Sequence, residues 1–138
     1  MTYLEFKQAA KKHYFTCKCL YKKCKDNWHI QENIFYLCGY VIEMMLKYQI
    51  FRSINYDRNA DIRQLNYNNL KFDNIKTHNI ITLLNILKKF EERLIFNEII
   101  TTFKNWNIEI RYNGKRKDYE NIKNVLELCE KIIENFER

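Results

Sequence analysis

Proline is absent from these 138 residues and glycine occurs only twice, at Gly39 and Gly114. An all-β chain needs turn residues at every corner, and tight hairpin turns favour residues that tolerate positive φ. A chain this poor in both punctuators is expected to fold as helices. Nearly half of it is apolar, 46%, and 15% is aromatic, which excludes intrinsic disorder and supports one packed core. The length fits one domain, 1–138.

The apolar residues recur at helical spacing. Tyr3, Ala10, Cys17 and Cys24 repeat every seven residues, with Phe6, Tyr14 and Tyr21 between them, which predicts a helix over 3–24. Asp26 and Asn27 close it and offer caps to a second helix over 30–52. That helix is apolar over a wide arc, from Ile34 to Phe51, so it belongs at the centre of a bundle. Gly39, in its middle, costs about 1 kcal/mol against alanine and suggests a close approach by another helix. Glu43 and Lys47 follow at spacings of four, on the same face as Gly39 and in the favourable order for a helical ion pair. Together they form a polar face suited to a cleft, a dimer seam or a buried pair that fixes register.

Residues 53–76 have no clear period, and Asp61–Leu70 has room for one short helical turn. Thr77 is the expected N-cap of the next apolar pattern, 78–105, read as two helices broken near 90. A connector over 106–117 turns at Gly114, and a last helix begins at Asp118, with a stripe from Tyr119 to Phe136. The expected fold is all-α, an up-and-down bundle of four to five helices.

The charge is uneven. The seven lysines from Lys7 to Lys25, with no acid among them, equal the whole surplus of +7; elsewhere basic and acidic residues number 17 each. The exposed side of the first helix, with Lys11, Lys18 and Lys22, is therefore a candidate surface for nucleic acid or an acidic partner. The glutamates of the last helix, Glu127, Glu130, Glu134 and Glu137, could instead balance it. A second basic group, Arg111, Tyr112, Lys115, Arg116 and Lys117, lies between Trp106 and Tyr119, where cations beside aromatics suit phosphate or RNA contact.

Five cysteines without a framework spacing read as small apolar packers in a reducing compartment. No N-terminal signal pattern is seen, and the run Ile34–Leu46 is too short to span a bilayer, so a cytoplasmic protein with no membrane partner is expected. Two glycines cannot build a phosphate loop, and the spacing of His13, Cys17 and Cys24 matches no zinc pattern. Neither a cofactor nor a metal is expected.

Three stretches fall in a telling order. The second helix carries Gly39-Tyr40-Val41-Ile42-Glu43-Met44-Met45-Leu46-Lys47, the third begins Thr77-His78-Asn79-Ile80, and Arg111-Tyr112 precedes the last. This pattern resembles the prokaryotic HEPN domain, a small helical bundle often found beside minimal nucleotidyltransferases. The resemblance runs from about residue 30 to 136. It implies a homodimer packed through the long helices, with the Gly39 face as candidate seam, and RNA, a nucleotide or a nucleotidyltransferase as partner.

Ribonuclease members of that family carry an Arg followed four to six residues later by a His. His13, His29 and His78 are the only histidines here, none at that distance after an Arg. Metal-independent cleavage by that route needs an imidazole to move protons. The expected function is therefore non-catalytic: binding of RNA, a nucleotide or a protein in a microbial toxin–antitoxin or defence system. One alternative is an immunity protein that neutralises a toxin by direct binding. Another is a ribonuclease toxin with a degenerate site, built on Arg111 with His78 or Tyr112. His78 is otherwise expected to cap the third helix or bond to another one, and the sequence names no group to orient it.

Overall fold

The structure is a computed structural model and describes residues 1–24, 26–104, 106 and 122–137. Among them are six α-helices: α1 (Leu4–Cys24), α2 (Trp28–Ser53), α3 (Phe72–Ile75), α4 (Ile80–Leu87), α5 (Ile95–Phe103) and α6 (Ile122–Glu137). A 3-10 turn, Ile62–Gln64, and a two-stranded antiparallel hairpin, β1 (Asn66–Tyr67) and β2 (Leu70–Lys71), lie between α2 and α3. Helices dominate, as the scarcity of glycine and proline predicts.

α2 is the axis of the bundle, and α1, α4 and α6 all pack on it. Its start is set by Asn27, whose Oδ1 accepts from the backbone N–H groups of His29 and Ile30 at 3.0 and 3.4 Å. The helix thus begins two residues before the expected Ile30. Its 26 residues are long and apolar enough to cross a membrane by length and composition, unlike the shorter run Ile34–Leu46 considered alone. Of its most apolar 18 residues, 83% are buried inside the bundle, which accounts for their apolarity. Ile34, Ile42, Met45, Leu46, Ile50 and Phe51 are wholly buried there, joined by Phe96 and Phe103 of α5 and Phe136 of α6.

Two arginines tie the end of α6 to the rest. Arg52 Nη1 donates to the Phe136 carbonyl, and Arg93 Nη1 donates to the Asn135 carbonyl at 3.0 Å. The last carbonyls of a helix have no partner within it, so these guanidinium groups satisfy them and complement the helix dipole. Arg93 is itself held by Glu91, which also accepts from Gln49 of α2 at 3.1 Å.

The break after α4 falls close to residue 90, with the backbone N–H groups of Phe90 and Glu91 closing onto the Leu87 carbonyl. The cap of α4 differs from expectation. Asn79, not Thr77, is the N-cap, with Oδ1 accepting from the Thr82 N–H at 3.0 Å, while Thr77 Oγ1 accepts from the Asn79 N–H at 3.1 Å. The hydroxyl thus fixes the turn that presents the capping amide. The helical turn expected within Asp61–Leu70 is the 3-10 turn, capped by Asp61, whose carboxyl is held well below the usual range by the Arg63 side chain and backbone N–H. The hairpin was not expected. Its two-residue loop, Asn68–Asn69, has φ of 45° and 69°, a conformation that asparagine tolerates better than most residues.

Three thiols meet in the core, one each from α1, α2 and α6. Cys17, Cys38 and Cys129 are fully buried, Cys17 donating to the Ile34 carbonyl and Cys129 to the Cys38 carbonyl, both at 3.8 Å. A hydrogen bond with Cys38 and then burial push the Cys17 thiol up, so it packs as a neutral group. Cys19, by contrast, is exposed.

The α1–α6 contact carries a pH signature. Burial, with the Glu130 carboxylate as second cause, pushes the Tyr14 phenol up to about 12. An unfolded tyrosine titrates near ~10. The folded state thus holds this proton more tightly, and its stabilising contribution is complete below about pH 10 and lost as pH rises toward 12. In urea unfolding at pH 9 and pH 11.5, the native protein is expected to lose more stability between the two than Tyr14→Phe does. Equal losses would contradict the assignment.

Candidate functional site

Glu43 is the most unusual residue of α2: a carboxylate with no solvent exposure. One oxygen, Oε2, accepts from Lys47 Nζ at 3.0 Å, and Lys47 is itself 6% exposed. The helical spacing of four brings the two together, and the Lys47 ammonium also lies over the Phe6 ring of α1. The other oxygen, Oε1, lies 3.0 Å from His78 Nδ1, at the entry to α4. Nδ1 is the ring nitrogen turned to this oxygen, and a carboxylate there can only accept from it. The His78 side chain is 54% exposed.

This is the orienting group that the sequence did not name. It stands 35 positions away, and only the packing of α4 on α2 brings it there. A half-exposed histidine held through Nδ1 by a buried carboxylate has the arrangement of an acid–base group. Around it stand aromatics. Tyr40 meets His78 edge to face at 6.0 Å between centroids, and its hydroxyl is 3.1 Å from that of Tyr36. Trp106 packs edge-on against Tyr40 at 5.4 Å and donates Nε1–H to the Tyr36 carbonyl at 3.2 Å.

Trp106 also corrects the expected role of Gly39. The glycine does admit a close neighbour, but the neighbour is the Trp106 indole of the same chain, not a helix of a second copy. A Cβ on Gly39 would sit 1.9 Å from Trp106 Cε2. The glycine is buried beneath that ring, so its close approach is taken up within the chain. Glu43 and Lys47 are likewise internal, the register-fixing pair rather than the lining of a cleft.

The lysine face of α1 is present. Lys11, Lys12, Lys18, Lys22 and Lys23 are exposed. Lys11 pairs with Glu137 of α6, so among the described residues the expected balance with the last helix exists at that one position. Lys18 lies 5.2 Å over the Tyr14 ring. Among the described residues Lys12, Lys22 and Lys23 make no ion pair. Phe15 was not singled out in the sequence, yet it is 67% exposed at the middle of this face. Lys11, Lys12 and Lys18 stand at −4, −3 and +3 from it, one turn away, and Lys22 and Lys23 at +7 and +8 continue the same side two turns on. The available signal was its place in the heptad, off the apolar stripe and between lysines.

Arg111, Tyr112, Lys115, Arg116 and Lys117 lie outside the described residues, as do Asp118 and Gly114. Trp106 is the nearest described residue before them, pinned to α2 by its indole. Among the described residues no group of three or more His, Cys, Asp or Glu side chains is arranged to hold a metal ion.

A family model, HEPN domain, matches residues 67–138, just over half of the chain. The chain belongs to the HEPN family. Comparison with curated proteins and with solved structures gives no match. HEPN domains are all-α, in keeping with α1–α6. The match takes in His78, Arg111 and α6, while the Gly39–Lys47 stretch lies before it. HEPN membership points to a nucleotide- or RNA-related module, or one of toxin–antitoxin type.

Proposed function

We propose that this HEPN module binds single-stranded RNA through the outer face of α1, as a cytoplasmic component of a microbial toxin–antitoxin or defence system. The observation that carries the proposal is Phe15, a large exposed aromatic on the side of α1 that also carries five exposed lysines. Cations that track a phosphate backbone around a ring that can stack on a base are the two elements of sequence-tolerant single-strand binding. Arg111, Tyr112, Lys115, Arg116 and Lys117 are a second proposed contact of the same chemistry, and the functional unit is proposed to be a homodimer.

The test is equilibrium binding to a fluorescently labelled single-stranded RNA. Replacing Lys12, Lys18 and Lys22 together with Gln is expected to weaken binding at least tenfold. Phe15→Ala is expected to cost about 1–3 kcal/mol, the usual worth of one stacked base. All four side chains are exposed, so the unfolding midpoint stays put. Unchanged RNA affinity in both variants would remove α1 from the site. Stoichiometric capture of an acidic protein in place of RNA would support the immunity reading.

One observation favours a second reading. Glu43 holds the His78 ring through Nδ1 while the side chain stays 54% exposed. The degenerate ribonuclease reading needs such a group to act with Arg111. Cleavage of RNA that disappears in both His78→Ala and Arg111→Ala would support it, and RNA left intact after long incubation would sink it.

A further inference from the structure

A cleft of about 430 Å³ opens between the β1–β2 hairpin and α4, and among the described residues its lining includes none from α1. Leu70 and Ile86 are aliphatic members of its lining. Its wall is the pair Tyr67 and Phe90, whose rings meet edge to face at 6.1 Å and are both exposed. Edge-to-face packing of these two rings makes a rigid corner, and their exposure leaves ring surface free for a planar ligand. Exposed aromatics cost solubility unless they serve recognition, and scattered single ones are common, but a contacting pair in a lining with aliphatic members forms a built surface.

Among the described residues Lys89 is the one charged member of the lining, beside the neutral amides of Asn68, Asn69 and Asn74. Asn74 uses its Oδ1 to accept from the Lys71 N–H at 2.8 Å, which leaves its amide NH2 as a donor. Asn68 and Asn69 add side-chain amides from the hairpin loop, where their positive φ lets the turn fold tightly beside the opening. Amides carry both a donor and an acceptor, which matches the edges of a base, and an ammonium is a point donor for phosphate. The size lies at the lower end of small-molecule sites.

We propose that the cleft between the hairpin and α4 receives one nucleotide unit, its base against Tyr67 and Phe90 and its phosphate at Lys89. The unit is either a free mononucleotide or one residue of a bound RNA strand. In the second case the proposal rests on the RNA-binding reading above; in the first it stands alone.

The experiment uses the full chain and adenosine 5′-monophosphate, adenosine and a labelled oligoadenylate as probes, with calorimetry for the small molecules and anisotropy for the RNA. Saturable binding of the mononucleotide is expected. Tyr67→Ala is expected to weaken it at least tenfold for both the mononucleotide and adenosine. Lys89→Ala should weaken the mononucleotide alone, because adenosine has no phosphate. Both side chains are exposed, so circular dichroism should show unchanged folding.

The triple α1 variant with Gln at 12, 18 and 22 separates the two sites. Mononucleotide binding that persists in it, with RNA binding lost, supports both proposals. Mononucleotide binding by a protein that binds no RNA supports the cleft and overturns the α1 reading. No mononucleotide binding, but a tenfold loss of oligoadenylate affinity in Tyr67→Ala, assigns the cleft to a residue of the RNA strand. No mononucleotide binding together with oligoadenylate affinity within twofold in Tyr67→Ala and Lys89→Ala overturns the cleft proposal, whatever the α1 variant does.

Discussion

Glu43→Ala is expected to destabilise the protein by about 3–5 kcal/mol, the usual cost of stranding one member of a buried ion pair. Lys47 would keep its ammonium 6% exposed with no carboxylate beside it. A domain of this size has about 5–15 kcal/mol to lose, so the thermal midpoint should fall by roughly 10 °C or more. His78 also loses its partner, but at 54% side-chain exposure water replaces the bond. The double variant Glu43→Leu with Lys47→Met separates the pair from its parts. Well-packed apolar side chains in place of a buried pair are often neutral or stabilising, so this variant should regain most of the loss. Thermal unfolding of the three proteins is the check. A fall in Glu43→Ala below about 1 kcal/mol, of the size seen for surface pairs, would show that the pair is hydrated.

Gly39→Ala is expected to cost about 2–4 kcal/mol, although alanine is the better helix former by about 1 kcal/mol. The new Cβ would overlap the Trp106 ring, reaching within 1.9 Å of Cε2 and 2.0 Å of Nε1. The indole must leave its place, and losing a buried large aromatic costs about 3–5 kcal/mol. The hydrogen bond from Nε1–H to the Tyr36 carbonyl goes with it. In a Trp28→Phe background, Trp106 is the sole indole, and its emission should move to longer wavelength as it meets water. Trp106→Ala should make Gly39→Ala much less harmful, because the two residues share one contact. Additive costs in the double variant would contradict the packing described here. Trp106 lies five residues before Arg111, the first residue of the second proposed contact.

The helices were legible where period and caps agree. The apolar stripes of α1, α2 and α6, and the break near residue 90, follow from spacing that places one face toward a core. Asn27 announces the start of α2 by residue type alone. The hairpin was not legible, because each strand has two residues and Asn68–Asn69 lacks the glycine that usually marks such a turn. At Thr77 and Asn79 the two side chains are equally able to cap, and the backbone decided between them.

The site shows the same divide. Glu43 with Lys47 is readable because a helix brings i and i+4 together. Glu43 with His78 is not, because nothing local links positions 35 apart. Gly39 signalled a close approach but not its source, since an indole and a neighbouring helix demand the same missing Cβ. Phe15 was passed over because one exposed aromatic carries no meaning until its lysine neighbours are counted around the helix.

The central claim is that α1 presents a phosphate-tracking surface. Its most direct test is the affinity of the unmodified protein for single-stranded RNA across a series of salt concentrations. Each lysine bound to phosphate contributes a log–log slope of about −0.7, so engagement of four predicts roughly −3. A slope near that value, reduced by about 0.7 for each of Lys12, Lys18 and Lys22 replaced by Gln, is the expected result. Binding that does not change with salt, or no RNA binding at the lowest salt tested, would contradict the account.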